Sequence, residues 1–317
     1  MQSVICTLFE GNYHYGVAAL VNSLYTKGFR GHIYAGYRGY LPKWAEKAKK
    51  NDRLNWPSGK TLYLDDCFLH FLPLENDYHL TNYKPDFMLE LLDGPAKNAE
   101  AIFYFDPDII QIADWEYMEE WVNCGIALCE DVNSPLEKFH PKRVFWRNYF
   151  KGFDLTFKNN IYANGGFVGL NIKDIQFLES WKKIQEEMAP NIGGLGKSKL
   201  SGTLISGKAA KPYAPFSSSD QDALNAAIEA VPTIYSLLHK EAMGFENGLN
   251  IMLHALGKNK PWNTNFIKRL LVKGFRPRMV DKAFTVNLSY PINISRKFTF
   301  KPLSIKISSF LSRFYKN

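Results

Sequence analysis

The sequence predicts an α/β fold with a largely parallel central sheet. Three observations carry this: short continuous apolar runs bounded by turn residues, helical stretches between them, and an opening that reads strand, helix, strand. Residues 3–9 form the first apolar run, and residues 13–27 read as a helix stopped by Gly28. A second strand follows at once over residues 31–37, which completes a βαβ unit. Pro85 sits where a first helical turn tolerates it, ahead of residues 86–92, and Gly94 supplies the stop. Residues 101–105 (Ala-Ile-Phe-Tyr-Phe) are a third apolar strand, and residues 125–129 and 167–170 are two more. Residues 191–219 depart from this alternation. They are rich in Gly, Ser and Lys and too long for an ordinary connection, so they are expected to be a lid over a site or a disordered insert.

Composition narrows the function classes. A chain of 317 residues with 46% apolar and 22% charged residues has enough material for a full core and is neither disordered nor fibrous. No run approaches the roughly 18 apolar residues of a membrane span. The start, Met1-Gln2-Ser3-Val4-Ile5-Cys6, has neither a basic region nor a cleavage site, so a cytoplasmic location is expected. The four cysteines have no zinc spacing and are expected to be buried thiols. Net charge is +8, but residues 255–317 hold 14 Lys/Arg against the single acid Asp281, which leaves the first 254 residues mildly acidic. No nucleic-acid-binding motif accompanies that excess, so no nucleic-acid partner is expected. Residues 296–316 interleave six basic side chains with Phe298, Phe300, Leu303, Ile305, Ile307, Phe310, Leu311 and Phe314. That composition suits a peripheral segment on an anionic membrane surface, and equally a solvated helix packed on the body.

Two stretches carry chemistry. Asp106-Pro107-Asp108 directly follows the strand at 101–105, and ligands of open α/β sheets bind beyond the carboxyl ends of strands. Two carboxylates fixed by a proline there can grip a hard divalent cation, although the tripeptide is also good turn chemistry. Later comes His254-Ala255-Leu256-Gly257-Lys258-Asn259-Lys260-Pro261-Trp262. Here His254 could complete a cation site, Gly257 would let backbone approach a phosphate, and Lys260 could neutralise it. Taken alone, such a histidine is more often a satisfied core residue than a ligand.

Taken together, these motifs resemble a GT-A glycosyltransferase of the family-8 type, the group that includes lipooligosaccharide galactosyl- and glucosyltransferases and glycogenin. The resemblance rests on Asn12-Tyr13 after the first strand, Asp106-Pro107-Asp108, Asn164-Gly165-Gly166, Asp220-Gln221-Asp222 and the nine residues from His254 to Trp262. They occur in family order over residues 3 to about 262.

The resemblance implies a Rossmann-like nucleotide-diphospho-sugar transferase. Its catalytic domain would span 1–267, with a basic extension at 268–317. It implies transfer of a hexose from a UDP-sugar, with retention of configuration, to a saccharide or lipid-linked saccharide acceptor in lipopolysaccharide or polysaccharide biosynthesis. Asp106, Asp108 and His254 would bind Mn²⁺ or Mg²⁺ together with the diphosphate, which Gly257 and Lys260 would also contact. Leu8, Glu10, Asn12 and Tyr13 would hold the uridine, with Glu10 in place of a family Asp. Lys84 stands roughly where the family has Arg, and an ammonium lacks the guanidinium fork. Asn164, Gly165, Asp220 and Gln221 would line the donor sugar, and Asp131 would lie near the acceptor and donor hydroxyls. Gln221, on the face opposite departure, would give electrostatic support to a front-face transfer. Ser219 and Asp222 also fit a capping box, with Ser219 as N-cap. Two other classes share these features: a sugar-nucleotide-binding scaffold without turnover, and a nucleotidyltransferase on a related fold. The latter usually opens on a Gly-rich loop followed by Arg, where this chain has Leu8-Phe9-Glu10-Gly11-Asn12 with its single Gly.

Overall fold

A computed structural model describes residues 1–198 and 214–314. The chain opens with strand β1 (Ser3–Glu10), helix α1 (His14–Thr26) and strand β2 (Gly31–Arg38). β1 and β2 pair in parallel, Val4 opposite His32 through Glu10 opposite Arg38. A short strand β3 (Lys49–Lys50) and the hairpin β4 (Lys60–Leu64) and β5 (Cys67–Pro73) follow, then α2 (Lys84–Asp93) with a proline in its first turn. Next come β6 (Ala101–Phe105), β7 (Ile109–Gln111), α3 (Trp115–Asn123), β8 (Ile126–Cys129), α4 (Pro141–Tyr149), β9 (Phe167–Asn171) and α5 (Gln176–Ile192). After the undescribed residues 199–213 the chain continues with α6 (Ser219–Ala230), β10 (Tyr235–Leu238) and β11 (Met252–His254). It closes with α7 (Phe266–Lys273), α8 (Met279–Val286) and α9 (Lys301–Leu311). The expected lid therefore lies mostly outside the described residues.

Among the described residues the main sheet has nine strands, in the order β10-β8-β9-β6-β1-β2-β5-β4-β3. Only β9 and β4 run against the others, so the sheet is mostly parallel, as expected. β1, β2 and β6 are buried on both faces, which is why they read as unbroken apolar runs rather than alternating ones. One face packs under α1, α3 and the C-terminal segment through Ile5, Val17, Leu20, Ile33, Phe103, Met118 and Phe284. The other packs under α2, α5 and α6 through Tyr104, Phe87, Met88, Trp181, Ile184 and Leu224. Each large apolar side chain so enclosed contributes about 1.5–3 kcal/mol.

Val280, Phe284, Leu288, Ile292, Ile294 and Phe298 belong to the same buried cluster as β1 and α1. Residues 280–298 thus share the core of the central sheet. The outward side of α9 and its surroundings stays open, with Phe300, Leu303, Ile307, Phe310 and Phe314 exposed and Ile305 and Ser308 buried. No helix among the described residues is long and apolar enough to cross a membrane. Of the four thiols, Cys6, Cys67 and Cys129 are buried, whereas Cys124 is exposed because it caps α3 just before β8.

Candidate active site

The aspartates stand where the carboxyl end of β6 stops. Asp106 is pinned by its own N–H to the Gly166 carbonyl (2.7 Å), and a turn closes when Ile109 N–H donates to the Asp106 carbonyl (3.1 Å). β7 starts immediately after Asp108 and forms a two-stranded antiparallel ribbon with β11, in which His254 pairs with Ile109. The ribbon ends with Ala255 N–H donating to the Asp108 carbonyl (3.0 Å). This register brings together two motifs that lie about 150 residues apart in the chain.

His254 Nε2 lies 3.2 Å from Asp108 Oδ1 and 3.8 Å from Asp106 Oδ2. The ligand atoms of Asp106, Asp108 and His254 all fall within 4.8 Å of one another. Hard carboxylate oxygens with one imidazole suit Mn²⁺ or Mg²⁺. Room for the cluster depends on Gly166. A Cβ there would stand 2.6 Å from His254 Cε1, 2.8 Å from Asn164 Oδ1 and 3.0 Å from Asp106 Oδ2. The residues present therefore fit a divalent cation.

Cations of the chain surround the cluster. Lys260 Nζ donates to Asp108 Oδ2 and to the Ala255 carbonyl (2.7 Å). Burial pushes the Asp108 carboxyl up, but the adjacent His254 and Lys260 outweigh burial and hold it well below the usual carboxylate range. Burial lowers the Lys260 pKa, yet Asp108 and Tyr13 leave it raised on balance, so the ammonium is fixed. Lys84, only 1% exposed, reaches the Gly165 carbonyl (2.7 Å), Asp220 Oδ2 (3.0 Å) and Asp106 Oδ1 (3.2 Å). It too keeps its charge, because the two aspartates outweigh its burial. Tyr104, the hydroxyl in an otherwise apolar strand, donates to Asp106 Oδ1 (2.9 Å).

The Asn-Gly-Gly and Asp-Gln-Asp segments meet beside this cluster. Gly165 N–H donates to Gln221 Oε1 (3.1 Å) and Gly166 N–H to Asn164 Oδ1 (2.8 Å). Asn164 Nδ2 donates to Asp131 Oδ2 (2.6 Å), and Asn133 holds the other oxygen (2.7 Å). Ser219 is not the N-cap of α6. Ser218 occupies that position, and Ser219 Oγ instead donates to Asn82 Oδ1 (2.8 Å). Asp222 does accept from Ser218 N–H (2.8 Å), but it also takes Lys142 Nζ (2.8 Å) and the Tyr162 hydroxyl (2.6 Å). It is therefore a buried anchor for the helix end that bears Asp220 and Gln221, beyond the capping role expected of it.

Tyr13 stands in the turn Gly11–Tyr13 after β1, edge-on to Trp262 with ring centroids 5.5 Å apart, and 38% exposed. Lys260 Nζ lies 5.6 Å from its ring centroid. Glu10 and Asn12 are exposed at the same rim. Leu8 has its side chain in the core, so only its backbone can face a ligand. Gly257 has φ +78°, and no atom lies within 4 Å of a Cβ placed there; the backbone conformation calls for glycine, and its approach side is open. Next to His254, a cavity of about 480 Å³ is walled by Val132, Phe245, Leu253, Leu256, Met279 and Val280, with Glu246 and Arg278 as its charged groups.

Sequence reasoning missed several supports of the site, Tyr104 among them, and two more stand close by. Gly16, in the first turn of α1, lies against Pro107 and Trp262, where a Cβ would stand 2.1 Å from the Pro107 carbonyl oxygen. A glycine inside an apolar helical run was the available signal. The second is the Lys142–Asp222 pair, for which the sequence offers no local sign.

No protein-family model matches the chain, and no curated protein sequence does. Solved structures do resemble it. The apo structure of the bifunctional glycosyltransferase WbbM aligns over 95% of this chain at 14% identity and a TM-score of 0.51. The chain spans about half (51%) of the length of that structure. The galactosyltransferase LgtC, solved with donor and acceptor sugar analogs, aligns over 82% of this chain and 89% of its own at 12% identity and a TM-score of 0.46. GlyE, a glycosyltransferase of Streptococcus pneumoniae TIGR4, aligns over 98% of this chain and 63% of its own at 14% identity and a TM-score of 0.49. The strand order, the position of the Asp-Pro-Asp turn at the end of β6 and the WbbM alignment agree on one architecture: the chain has the GT-A glycosyltransferase fold.

Proposed function

We propose that the protein is a metal-dependent, family-8-like glycosyltransferase. It moves a hexose from a UDP-sugar to a saccharide or lipid-linked saccharide acceptor with retention of configuration. The observation that carries the reading is the convergence of Asp106, Asp108 and His254 at the carboxyl edge of the sheet, flanked by Lys84 and Lys260 and facing Asp220, Gln221 and Asn164. A set of carboxylates and fixed cations in one place serves a ligand that is itself an anion bound through a cation.

In this reading Asp106, Asp108 and His254 would hold Mn²⁺ or Mg²⁺, which when bound supplies positive charge at the departing diphosphate. Tyr13 stacks on the base, Leu8, Glu10 and Asn12 hold the uridine, and Gly257 and Lys260 contact the diphosphate. Lys260 adds a fixed ammonium where negative charge develops. Asn164, Gly165, Asp220 and Gln221 line the sugar. Lys84 ties Asp220 on the sugar side to Asp106 on the diphosphate side, so the two halves of the donor site move as one. Asp131, whose two oxygens are held by Asn133 and Asn164, orients the latter and faces the hydroxyls.

Transfer breaks the bond from the anomeric carbon to the diphosphate oxygen and forms one from that carbon to the acceptor oxygen. The acceptor's proton passes to the departing phosphate. Gln221 Oε1 is already engaged by Gly165 N–H, which makes it a poor nucleophile and favours front-face attack over a covalent intermediate. The cavity beside His254 is the acceptor side, and its apolar walls suit an acceptor with an apolar part. The open face of α9 would rest on an anionic membrane, with residues 1–267 forming the catalytic body. The test is a panel of UDP-hexoses with saccharide acceptors, with the anomeric configuration of the product read by NMR. Inverted product removes the retaining mechanism, and pyrophosphate release in place of UDP would mark a nucleotidyltransferase.

A further inference from the structure

The loop from Ala255 to Thr264 carries Gly257 and Lys260, yet its own turns satisfy only part of its backbone. Two C-terminal side chains add five bonds to its carbonyls. Arg278 donates to the Leu256 carbonyl (3.0 Å) and the Asn259 carbonyl (2.7 Å). Lys301 Nζ donates to the carbonyls of Pro261 (2.7 Å), Trp262 (2.9 Å) and Thr264 (3.1 Å). An ammonium has three N–H donors, so carbonyls of this one loop consume all of them. The Arg278 fork is itself aimed by Asp281, which is fully buried and accepts at 3.1 and 3.2 Å.

Ring contacts continue the same brace. Trp262 packs on Phe284 (5.8 Å), Phe284 on Phe298 (5.5 Å), and Phe298 edge-on to Tyr15 of α1 (5.0 Å). The loop is thus held from behind by α8, α9 and the turn between them, while Lys260 reaches forward to Asp108. Surface lysines and arginines usually meet carboxylates or water. Here the Lys301 ammonium opening α9 is spent on carbonyls alone, and Arg278, just before α8, divides its guanidinium between Asp281 and two carbonyls of the loop, which fixes backbone position.

We propose that Arg278 and Lys301 are positioning residues for the donor's diphosphate, setting the backbone of the loop that presents Gly257 and Lys260. The C-terminal segment is then part of the donor site's support. This inference rests on the donor-site reading above. Removing residues 298–317 to probe membrane attachment would therefore also disturb donor binding, and a cut beyond α9 is the cleaner probe.

The experiment uses the full chain with Lys301→Met, Lys301→Arg and Arg278→Met, and Asn22→Ala as the control. Asn22 of α1 bonds the carbonyls of Asn287 and Ile292 and the N–H of Ile292, so its loss loosens the same segment without touching the loop. Two quantities are read: UDP affinity in Mn²⁺ by calorimetry, and hydrogen exchange of the 255–264 amides in the ligand-free chain. Lys301→Met and Arg278→Met are expected to weaken UDP about tenfold, comparable to loss of a supporting residue behind a metal site, and to speed loop exchange. Lys301→Arg should recover part of both, and donor KM should rise with kcat little changed. Asn22→Ala should lower Tm and leave UDP affinity and loop exchange unchanged. Equal effects of Asn22→Ala and Lys301→Met, or unchanged affinity and exchange in Lys301→Met, overturn the proposal. If Lys301→Met fails to fold, Arg278→Met and Lys301→Arg decide it on the same terms. A parent chain that binds no UDP removes the donor reading, and loop exchange then decides the brace alone.

Discussion

Gly166→Ala adds one methyl group at the point where three parts of the site touch. That methyl would stand 2.6 Å from His254 Cε1, and ordinary contact begins near 3.4 Å, so one partner must give by about 0.8 Å. The backbone cannot retreat easily. Gly166 N–H is held by Asn164 Oδ1 and its carbonyl by Asp106 N–H, both bonds that define the end of β9. Asn164 is in turn fixed by Asp131, which leaves the imidazole as the group that moves. Overpacking of this kind costs about 1–3 kcal/mol of stability. Metal–ligand distances tolerate only about 0.2 Å, so the displacement should matter far more for cation binding than for folding. The expected result is a chain that melts cooperatively a few degrees lower and binds Mn²⁺ with UDP at least about tenfold more weakly by calorimetry. Gly166→Ala binding Mn²⁺ and UDP as the parent does would show that His254 and Asp106 are not held in the arrangement on which the site depends.

Two further outcomes concern the frame around the site. Asp222→Ala leaves Lys142 without its buried partner and should cost about 3–5 kcal/mol in a urea titration, whereas a loss below 1 kcal/mol would show that α6 is anchored by other means. Burial, with His32 beside it, pulls the His70 pKa down to about 3. The unfolded chain takes that proton near pH 6.5, so stability is full above that value and falls as pH drops toward 3, by at most about 1.4 kcal/mol per pH unit. His70→Asn should therefore narrow its stability gap to the parent between pH 7 and pH 5; a gap of constant size would exclude His70 as the titrating group.

The parts of the fold that were legible in the sequence are those whose residues speak locally. β6 was expected over the residues it occupies, because a strand buried on both faces leaves an unbroken apolar run ending at a turn. α2 announced itself by Pro85 and Gly94. The reversed direction of β9 was not legible, since orientation is decided by which neighbour a strand meets. Nor was the β7–β11 ribbon, whose three-residue strands are too short to show a period. Among site residues, those inside compact motifs could be named from the sequence together. Tyr104, Arg278 and Lys301 could not, because each acts through a contact with a distant backbone or carboxylate and has no motif of its own. The tail, ambiguous by composition, divides by face: Phe298 and Ile305 pack inward while Leu303, Ile307 and Phe310 face outward.

The central claim is that the Asp106/Asp108/His254 cluster supports cation-dependent transfer from a UDP-sugar. It is tested most directly by measuring UDP release from UDP-hexoses with an acceptor mixture, in Mn²⁺ and in excess chelator, for the parent and for Asp108→Ala. The account predicts release by the parent in Mn²⁺, none in chelator, and none from Asp108→Ala in either, with the variant still folded by thermal melt. Undiminished release by the parent in excess chelator, or by Asp108→Ala in Mn²⁺, would contradict it.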